Sequence, residues 1–343
     1  MVWRTVFQVA ATYVGAVMGA GFASGQEIQQ FFSRFGGWGL GGIAVSSALF
    51  ALLGWIMLEL LERWSITSYA DFFRRLFGDF WGRRADFLVS CLLFVGMLAM
   101  LTGSGALFSQ YFGLASWLGI LLTGGVIALA LWFRSEGVLW INSVLIPLKF
   151  VFCLGIALFA AVLAAPGDGE GVILPPNPLL RHWLVAAVLY VSFNLTLAMV
   201  VFASLGKVVH RKGARLGAVG GGLALGAFAV AIAAALLRFP EVMALEIPMV
   251  AVAGKLGDWA AFFYVMVLWL AMITAAVGNS FSLACRLAQT QRLSYIQASV
   301  LILLAGLALA GIRFSQIVSI VYPLCGYLGL VFLPFIFHSW RRR

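Results

Sequence analysis

A glycine-rich stretch near the start of the chain combines residues that could hold a small polar molecule inside an apolar segment. Residues 14–32 read VGAVMGAGFASGQEIQQFF. Ser24 and Glu27 have the spacing of a capping box, in which a serine opens a helix and a glutamate three residues later completes the cap. The spacing therefore predicts that a second helix begins partway across an apolar one. Backbone groups freed by such a break must face protein or a water-filled cavity, because they cannot face lipid.

The same glycines allow a second interpretation. Gly15 and Gly19, and then Gly21 and Gly25, form two GxxxG pairs, which let an unbroken helix pack closely on a neighbour in a membrane. The capping box favours the break. A helix that starts inside a cavity offers free N–H groups and a partial positive charge, which suit a carboxylate.

Two formal charges, Glu27 and Lys149, fall well inside apolar segments. A charge near the centre of a bilayer costs on the order of 3 kcal/mol or more, so charges there indicate function by default. For Lys149 we expect an amine that can exchange a proton, and snorkelling to the interface is the alternative. Glu27 either completes the cap alone or contacts a proton or an amine.

The composition defines the class of protein that must position these residues. Of the 343 residues 63% are hydrophobic and only 10% are charged, and the mean hydropathy is +1.05. A single soluble domain cannot bury that much apolar surface. The apolar residues form runs near or above the roughly 20 residues that cross a bilayer. We predict an all-α integral membrane protein with ten transmembrane helices, at Thr5–Phe32, Leu40–Leu61, Phe87–Phe108, Trp117–Phe133, Leu139–Ala165, Trp183–Leu205, Leu216–Leu237, Trp259–Ala284, Tyr295–Ala310 and Phe314–Phe337.

Lysine and arginine residues in the loops predict the orientation. With the N-terminus in the cytoplasm, sixteen of the 22 lie inside and five outside, and Lys149 lies within a span. This asymmetry agrees with the positive-inside rule. It predicts a multi-pass protein of the cytoplasmic membrane with both termini in the cytoplasm. The net charge of +10 thus reflects topology and does not indicate nucleic-acid binding.

The order of the segments predicts two inverted five-helix repeats, at about 5–165 and 183–337, within a single domain of residues 1–343. An amphipathic segment at 68–84 is expected to form a cytoplasmic interfacial helix. A segment at 239–256 is expected to form an extracellular lid. The two occupy equivalent positions on opposite faces, as inverted repeats require. The symmetry predicts a second broken helix at the sixth span, where Ser192, Asn194 and Thr196 form a polar patch; hydrogen bonds from this patch to a neighbouring helix are the alternative.

The GAGFASGQE motif of residues 19–27, the ten spans and the lid resemble the YkvI-type amino acid permeases of the amino acid–polyamine–organocation superfamily. The layout is similar to the LeuT-type fold. The resemblance implies alternating access around a site at the midplane, between the broken first and sixth helices, with contributions from the third, eighth and tenth. It also implies that a lysine in the fifth span can replace a sodium ion. Lys149 has that position, and the resemblance implies that its ammonium group rests on carbonyls near residues 15–19, close to Thr274.

We therefore expect a secondary transporter for a small amino acid or related amine, either proton-coupled or sodium-independent. The alternative is a sensor or receptor subunit that binds a ligand without moving it. The predicted substrate-binding residues are Gly19, Gly21, Phe22, Ala23, Ser24, Gly25, Ser192, Phe193 and Asn194. The predicted coupling residues are Lys149, Glu27 and Thr274.

Other functional classes find little support in the sequence. We identify no nucleophile–base set that would indicate an enzyme, and no cofactor motif. The four cysteines fall in apolar runs without the spacing of a metal site or a disulfide framework. The expected partners are the small-molecule substrate and membrane lipid, and the sequence is compatible with a homo-oligomer.

Overall fold

The computed structural model describes residues 2–66, 69–133, 137–162, 174–205, 208, 212–290 and 293–342, and its regular elements are helical throughout. For residues 69–70, 83, 86, 137–149, 204 and 290 the structure describes the backbone only. The α-helices are α1 Val2–Val17, α2 Ala20–Ala23, α3 Gln26–Phe31, α4 Gly37–Trp64, α5 Tyr69–Phe112, α6 Ser116–Trp132, α7 Gly137–Val162, α8 Trp183–Ser204, α9 Ala214–Arg238, α10 Pro248–Lys255, α11 Asp258–Thr290, α12 Tyr295–Leu309, α13 Phe314–Gln316, α14 Tyr322–Leu330 and α15 Phe332–Arg341.

Six stretches within the described residues are long and apolar enough to cross a membrane. They are Gly37–Trp64, Phe87–Phe112, Trp183–Ala203, Ala214–Arg238, Asp258–Gln289 and Phe314–Arg341. Three shorter apolar helices accompany them, at Ser116–Trp132, Phe150–Val162 and Tyr295–Leu309. The broken helix α1–α3 adds one further apolar segment. The number of spans stays a prediction.

The two ends of the helical bundle can be told apart by their contacts. At one end, Val2 at the start of α1 lies against Gly213 just before α9. At the same end, Arg63 near the end of α4 donates to the carbonyl of Arg342 (3.4 Å). We call this the terminal end, because both chain termini lie there. The opposite end carries α10 and the 3₁₀ helix Pro240–Ala244, and we call it the lid end.

Two tight helix pairs form the core that positions the broken first helix. α4 packs along α9, where a Cβ at Gly222 would overlap the backbone of Ala51 and where Ser47 donates to the carbonyl of Gly222 (3.2 Å). α5 packs along α11. Close approach through glycine is the means by which helices associate tightly where lipid replaces water.

The first helix is interrupted twice. α1 ends at Val17, and the N–H of Gly19 then bonds the carbonyl of Val17 (2.8 Å), which releases the carbonyl of Gly15 from the helical ladder. Ser24 and Gly25 separate α2 from α3, and Gly25 has φ +82°, a conformation that L side chains rarely adopt. The prediction of a break in the first span thus agrees with the backbone.

The sixth predicted span, in contrast, is one continuous helix, α8, so the predicted break there is wrong. Its polar side chains bond within the helix, because Asn194 donates to the carbonyl of Tyr190 (3.0 Å) and Thr196 to that of Ser192 (3.0 Å). Ser192 also donates to the carbonyl of Gly326 on α14 (2.9 Å). This stretch contains neither glycine nor proline, so the helix stays intact, and the polar side chains form hydrogen bonds within it and to α14.

The tenth predicted span is irregular for an identifiable reason. A π-helical turn at Ile317–Val321 precedes Pro323, which has no N–H to donate to the carbonyl of Ser319. The side chain of Asn177 donates to that carbonyl instead (2.7 Å). Pro334 then falls in the first turn of α15, directly after the interruption between α14 and α15.

Residues 69–84 of the predicted interfacial segment form the first part of α5, which continues into the third predicted span with a kink at Gly78 (φ +76°), and residue 68 lies outside the described residues. Phe73 and Phe77 on this part pack on Phe332 and Phe335 at the terminal end, with ring centroids 4.9–5.4 Å apart.

Candidate functional site

A cavity of about 360 Å³ lies beside the first break of the broken helix. Its wall is built from α1, α2, α3, α5, α8, α11 and α14. The residues that line it include Gly15, Gly19, Gly21, Glu27, Phe193, Asn194, Thr274 and Tyr322. Bilayer-spanning proteins tolerate irregular backbone where it lines a cavity of this kind.

Glu27 is the charged residue of the described cavity wall. Glu27 is only 4% exposed. The hydroxyl of Tyr190 on α8 donates a hydrogen bond to Oε2 of Glu27 (3.2 Å). A Cβ on Gly21 would overlap Glu27 Oε1, so the carboxylate lies directly against the backbone of α2. Rings of Phe31 and Phe32 pack on Tyr190 with centroids 5.2 and 5.0 Å away, which fixes the hydroxyl that orients the carboxylate.

The rest of the cavity wall is mainly apolar and aromatic. Phe193 and Tyr322 stack with centroids 4.5 Å apart and ring planes at 28°. Thr274 lines the wall and donates to the carbonyl of Ala271 (3.1 Å), while Asn279 lies further along α11. Ligand sites are typically apolar clefts with a few placed polar groups.

The cavity brings together six of the predicted site residues: Gly19, Gly21, Glu27, Phe193, Asn194 and Thr274. Five other predicted substrate-binding residues lie elsewhere. Phe22 lines a small gap of about 10 Å³ between α4, α8 and α9. Ser192 bonds α14, and Ala23, Ser24 and Gly25 face the lid end. The side chain of Lys149 lies outside the described residues, so its predicted coupling role stays a proposal.

The predicted use of Ala23, Ser24 and Gly25 as donors to a carboxylate does not fit this structure. Their N–H groups bond the carbonyls of Gly19 (3.1 Å), Ala20 (2.8 Å) and Phe22 (3.1 Å). The short helix α2 therefore uses these donors itself.

The predicted capping box is also different in detail. Ser24 accepts from the N–H of Gln26 (3.2 Å) and donates to the carbonyl of Gly21 (2.7 Å), and the residue that caps α3 is Gly25. Glu27 bonds Tyr190. The S-x-x-E pattern thus marked the position of the second break, while tertiary contacts determined the partners of its side chains.

Tyr190 and Tyr322 are site residues outside the predicted set. Each is a tyrosine in an otherwise apolar span, and such a hydroxyl needs a hydrogen-bond partner when it is buried. That need is a weak signal for proximity to the buried Glu27, but it does not identify which of eight tyrosines in the chain is involved.

The cavity is closed toward the lid end. The N–H of Met249 in α10 bonds the carbonyl of Ser24 (3.1 Å), and Tyr264 on α11 donates to the carbonyl of Ala23 (2.5 Å). The side-chain amide of Gln110, at the end of α5, donates to the carbonyl of Ile247 (2.9 Å) and accepts from its N–H (3.0 Å). These contacts hold the segment 239–256 over the second break.

The carboxylate of Glu246 links segment 239–256 to the start of the tenth predicted span. Glu246 accepts from the N–H and the hydroxyl of Ser315, both at 2.8 Å, and from Nε of Arg313 (3.0 Å). We call this set of contacts the Glu246 latch. The Glu246 side chain is only 19% exposed, so water weakens these bonds less than in an open surface pair.

Toward the terminal end the cavity wall becomes progressively exposed. Along α11, Thr274 is buried, Gly278 and Asn279 are half-buried, and Ser282 is exposed. α8 contributes residues toward its end at Ser204, including Val201. The cavity therefore opens to the terminal end and is closed at the lid end.

Solved structures with the same fold define the class of protein. The chain aligns with the inward-facing conformation of Mhp1 with a TM-score of 0.65 at 15% identity, covering 96% of this chain and 74% of Mhp1. A closed conformation of Mhp1, a nucleobase-cation-symport-1 family transporter, gives 0.58 at 16% identity, with 93% and 74% covered. A mutant of the manganese transporter of Eremococcus coleocola gives 0.59 at 16% identity, with 99% and 79% covered. The chain is an all-helical membrane protein with the LeuT-type fold of these transporters.

Sequence relatives define the family. The chain is 30% identical over 329 residues to the uncharacterized membrane protein YkvI of Bacillus subtilis strain 168, covering 95% of this chain and 93% of YkvI. It is 26% identical over 342 residues to the uncharacterized protein YyaD of the same organism, covering 97% and 96%. The chain therefore belongs to the YkvI family. No protein-family model matches it.

Proposed function

We propose that this protein is a secondary transporter that moves a small amino acid or related amine across the cytoplasmic membrane by alternating access. The observation that carries the proposal is the cavity beside the broken first helix, which is closed by the lid-end contacts and open at the terminal end. Alternating access needs a site that one end exposes while the other end seals it. The proposed orientation has both termini in the cytoplasm, so this conformation is inward-facing, like the Mhp1 structure with a TM-score of 0.65.

The described residues favour an organic substrate over a divalent metal ion. No three His, Cys, Asp or Glu side chains lie together in the part of the chain that the structure describes. Divalent cations need several oxygen, nitrogen or sulfur ligands at once.

We further propose that transport is proton-coupled or sodium-independent, with Lys149 in the place of a sodium ion. Two observations support this. The first break releases the carbonyl of Gly15 from the helical ladder, and Thr274 on α11 lines the same cavity. Released carbonyls and a nearby hydroxyl are groups that coordinate a cation or an ammonium group in transporters with broken helices.

The test is uptake by the full-length protein in liposomes. A panel of radiolabelled amino acids and amines is offered with and without sodium, and with and without an inward proton gradient. We expect sodium-independent, proton-stimulated uptake that Lys149→Ala abolishes and that Lys212→Ala, a change in an exposed loop before α9, preserves. Sodium-dependent uptake that survives Lys149→Ala would contradict the role of the lysine alone. Ligand binding without net flux would contradict transport itself.

A further inference from the structure

The outward face of α5 carries an arginine in line with exposed and half-buried apolar side chains. Beyond the kink at Gly78, α5 is one continuous helix, and successive residues are about 100° apart around its axis. Arg84, Phe87, Phe94 and Val95 therefore lie on a single face that is about 100° wide. Arg84 is exposed, and Phe87 is 71% exposed, so this face points away from the bundle.

The same face of α5 forms one wall of an apolar groove. The groove has a volume of about 300 Å³ and lies between α5, α11 and α12. Its wall includes Phe94 and Val95 from α5, Leu287 from α11, and Leu301 and Ala305 from α12. Leu301 is 54% exposed, so the groove opens to the outside of the bundle. None of the described residues that line the central cavity lines this groove.

Two aromatic rings hold the guanidinium group of Arg84. Its central carbon lies 4.2 Å from the ring centroid of Phe80 and 4.7 Å from that of Trp81. Such contacts use the flat face of the guanidinium group, so the N–H groups at its edge stay available to an anion. The helix places Asp79 and Asp86 at least about 140° away from Arg84 around its axis.

The arginine and the groove lie at different depths. Phe94 follows Arg84 by ten residues, which is about 15 Å along the helix. The headgroup region is only about 5–8 Å thick on each side of the bilayer, so a guanidinium group at headgroup level puts the groove among the acyl chains. The half-exposed Trp81 beside Arg84 fits the same level, because tryptophan is enriched at the membrane interface.

We infer that this face of α5 binds an anionic phospholipid, whose phosphate accepts hydrogen bonds from Arg84 and whose acyl chain occupies the groove. In the orientation proposed above, the site belongs to the cytoplasmic leaflet, where anionic lipids give the surface a negative potential. The site is separate from the central cavity, and the inference does not depend on what the protein transports.

The groove favours a lipid over a soluble anion. A single exposed guanidinium group binds a small anion weakly, because water screens the pair. The apolar wall adds affinity only for a molecule with an acyl chain, since burial of apolar surface drives that contact. The phosphate of a zwitterionic lipid is accompanied by a positive charge, which offsets its attraction to Arg84.

The primary experiment uses the unmodified full-length protein, delipidated in detergent, and native mass spectrometry. Dioleoylphosphatidylglycerol and dioleoylphosphatidylcholine carry the same chains and differ in net charge. We expect the first phosphatidylglycerol to bind at least about tenfold more tightly, because a hydrogen bond to a charged group stabilises by that factor or more. Glycerol 3-phosphate, which has no acyl chains, should not bind measurably. Equal affinities for the two lipids, or glycerol 3-phosphate binding as tightly as phosphatidylglycerol, would overturn the inference.

Three variants test the two parts of the site. Arg84→Gln should weaken phosphatidylglycerol binding at least about tenfold and leave phosphatidylcholine binding unchanged. Ala305→Phe fills the groove and should weaken the binding of both lipids by a similar factor. Arg74→Gln removes the same charge from an exposed pair with Asp71 before the kink and should have no effect.

Equal losses in Arg84→Gln and Arg74→Gln would show that only the overall charge matters and would overturn the role of Arg84. Full affinity in Ala305→Phe would overturn the occupancy of the groove. If a variant fails to give a monodisperse protein, the comparison of the two lipids on the unmodified protein still decides the inference.

Discussion

The Glu246 latch leads to a quantitative prediction about the lid end. Glu246→Gln removes the charge and one of the two acceptor oxygens, so the side chain can keep only part of its bonds to Ser315 and Arg313. Hydrogen bonds to charged groups contribute about 1.5–3 kcal/mol each, and an exposed ion pair adds at most about 1 kcal/mol. Since glutamine retains one acceptor, we expect the closed lid to lose about 2 kcal/mol relative to an undocked one.

A loss of about 2 kcal/mol corresponds to a roughly 30-fold larger undocked population. Amide hydrogen exchange measures that population, because the N–H groups of α10 exchange when local opening exposes them. The N–H of Met249 reports on docking most directly, since its acceptor is the carbonyl of Ser24 across the interface. Exchange in residues 248–255 should be about 30-fold faster in Glu246→Gln than in the unmodified protein.

Glu241→Gln provides the matched control in the same segment. Its ion pair with Lys255 spans 3.3 Å, and the lysine side chain is half-exposed, so its loss should cost at most about 1 kcal/mol and accelerate exchange no more than about fivefold. An acceleration in Glu246→Gln that is no larger than in Glu241→Gln would show that the partly buried Glu246 latch does not hold the lid.

Three further substitutions test the broken helix and its surroundings. Gly21→Ala places a Cβ on the Glu27 carboxylate and should lower the midpoint of thermal unfolding in detergent, whereas Gly220→Ala on α9, which is exposed, lies outside the cavity wall and meets no atom within 4 Å, should not; equal shifts would contradict the packing. Gly25→Ala forces a side chain into a left-handed conformation and should destabilise the protein by about 1–2 kcal/mol or more, seen as a lower midpoint of thermal unfolding in detergent than for Gly19→Ala. Asn177→Ala removes the side-chain donor to the carbonyl of Ser319 within the π-helical turn and should cost about 1–3 kcal/mol; an unchanged midpoint would show that another group replaces it.

Much of the fold follows from local properties of the sequence. Apolar runs long enough for a bilayer define the helices, and the observed α6 and α12 begin and end within one residue of the predicted segments. The S-x-x-E spacing of residues 24–27 located the second interruption of the first helix, and the first interruption, at residues 18–19, was not predicted separately. These features depend on neighbours in the chain, which a sequence displays directly.

The site was only partly predictable, because it depends on contacts between distant parts of the chain. Glu27 and Thr274 could be selected as polar groups in apolar segments, but the partner of Glu27 is Tyr190, 163 residues away. The assumed symmetry of the repeats suggested a break in α8 that its own backbone does not need, since Ser192, Asn194 and Thr196 find acceptors in an intact helix and its neighbour.

The sequence by itself determined that this protein is a helical membrane protein with an interrupted first span, since hydropathy and backbone preference act along the chain. Only the tertiary structure decided which end of the cavity is closed and which residues line it. It also decided that the N–H groups of Ala23, Ser24 and Gly25 are already used and that the described wall carries a single negative charge. Those properties depend on the packing of α3, α8, α10 and α11 against one another, and packing partners far apart in the chain are not visible in its order of residues.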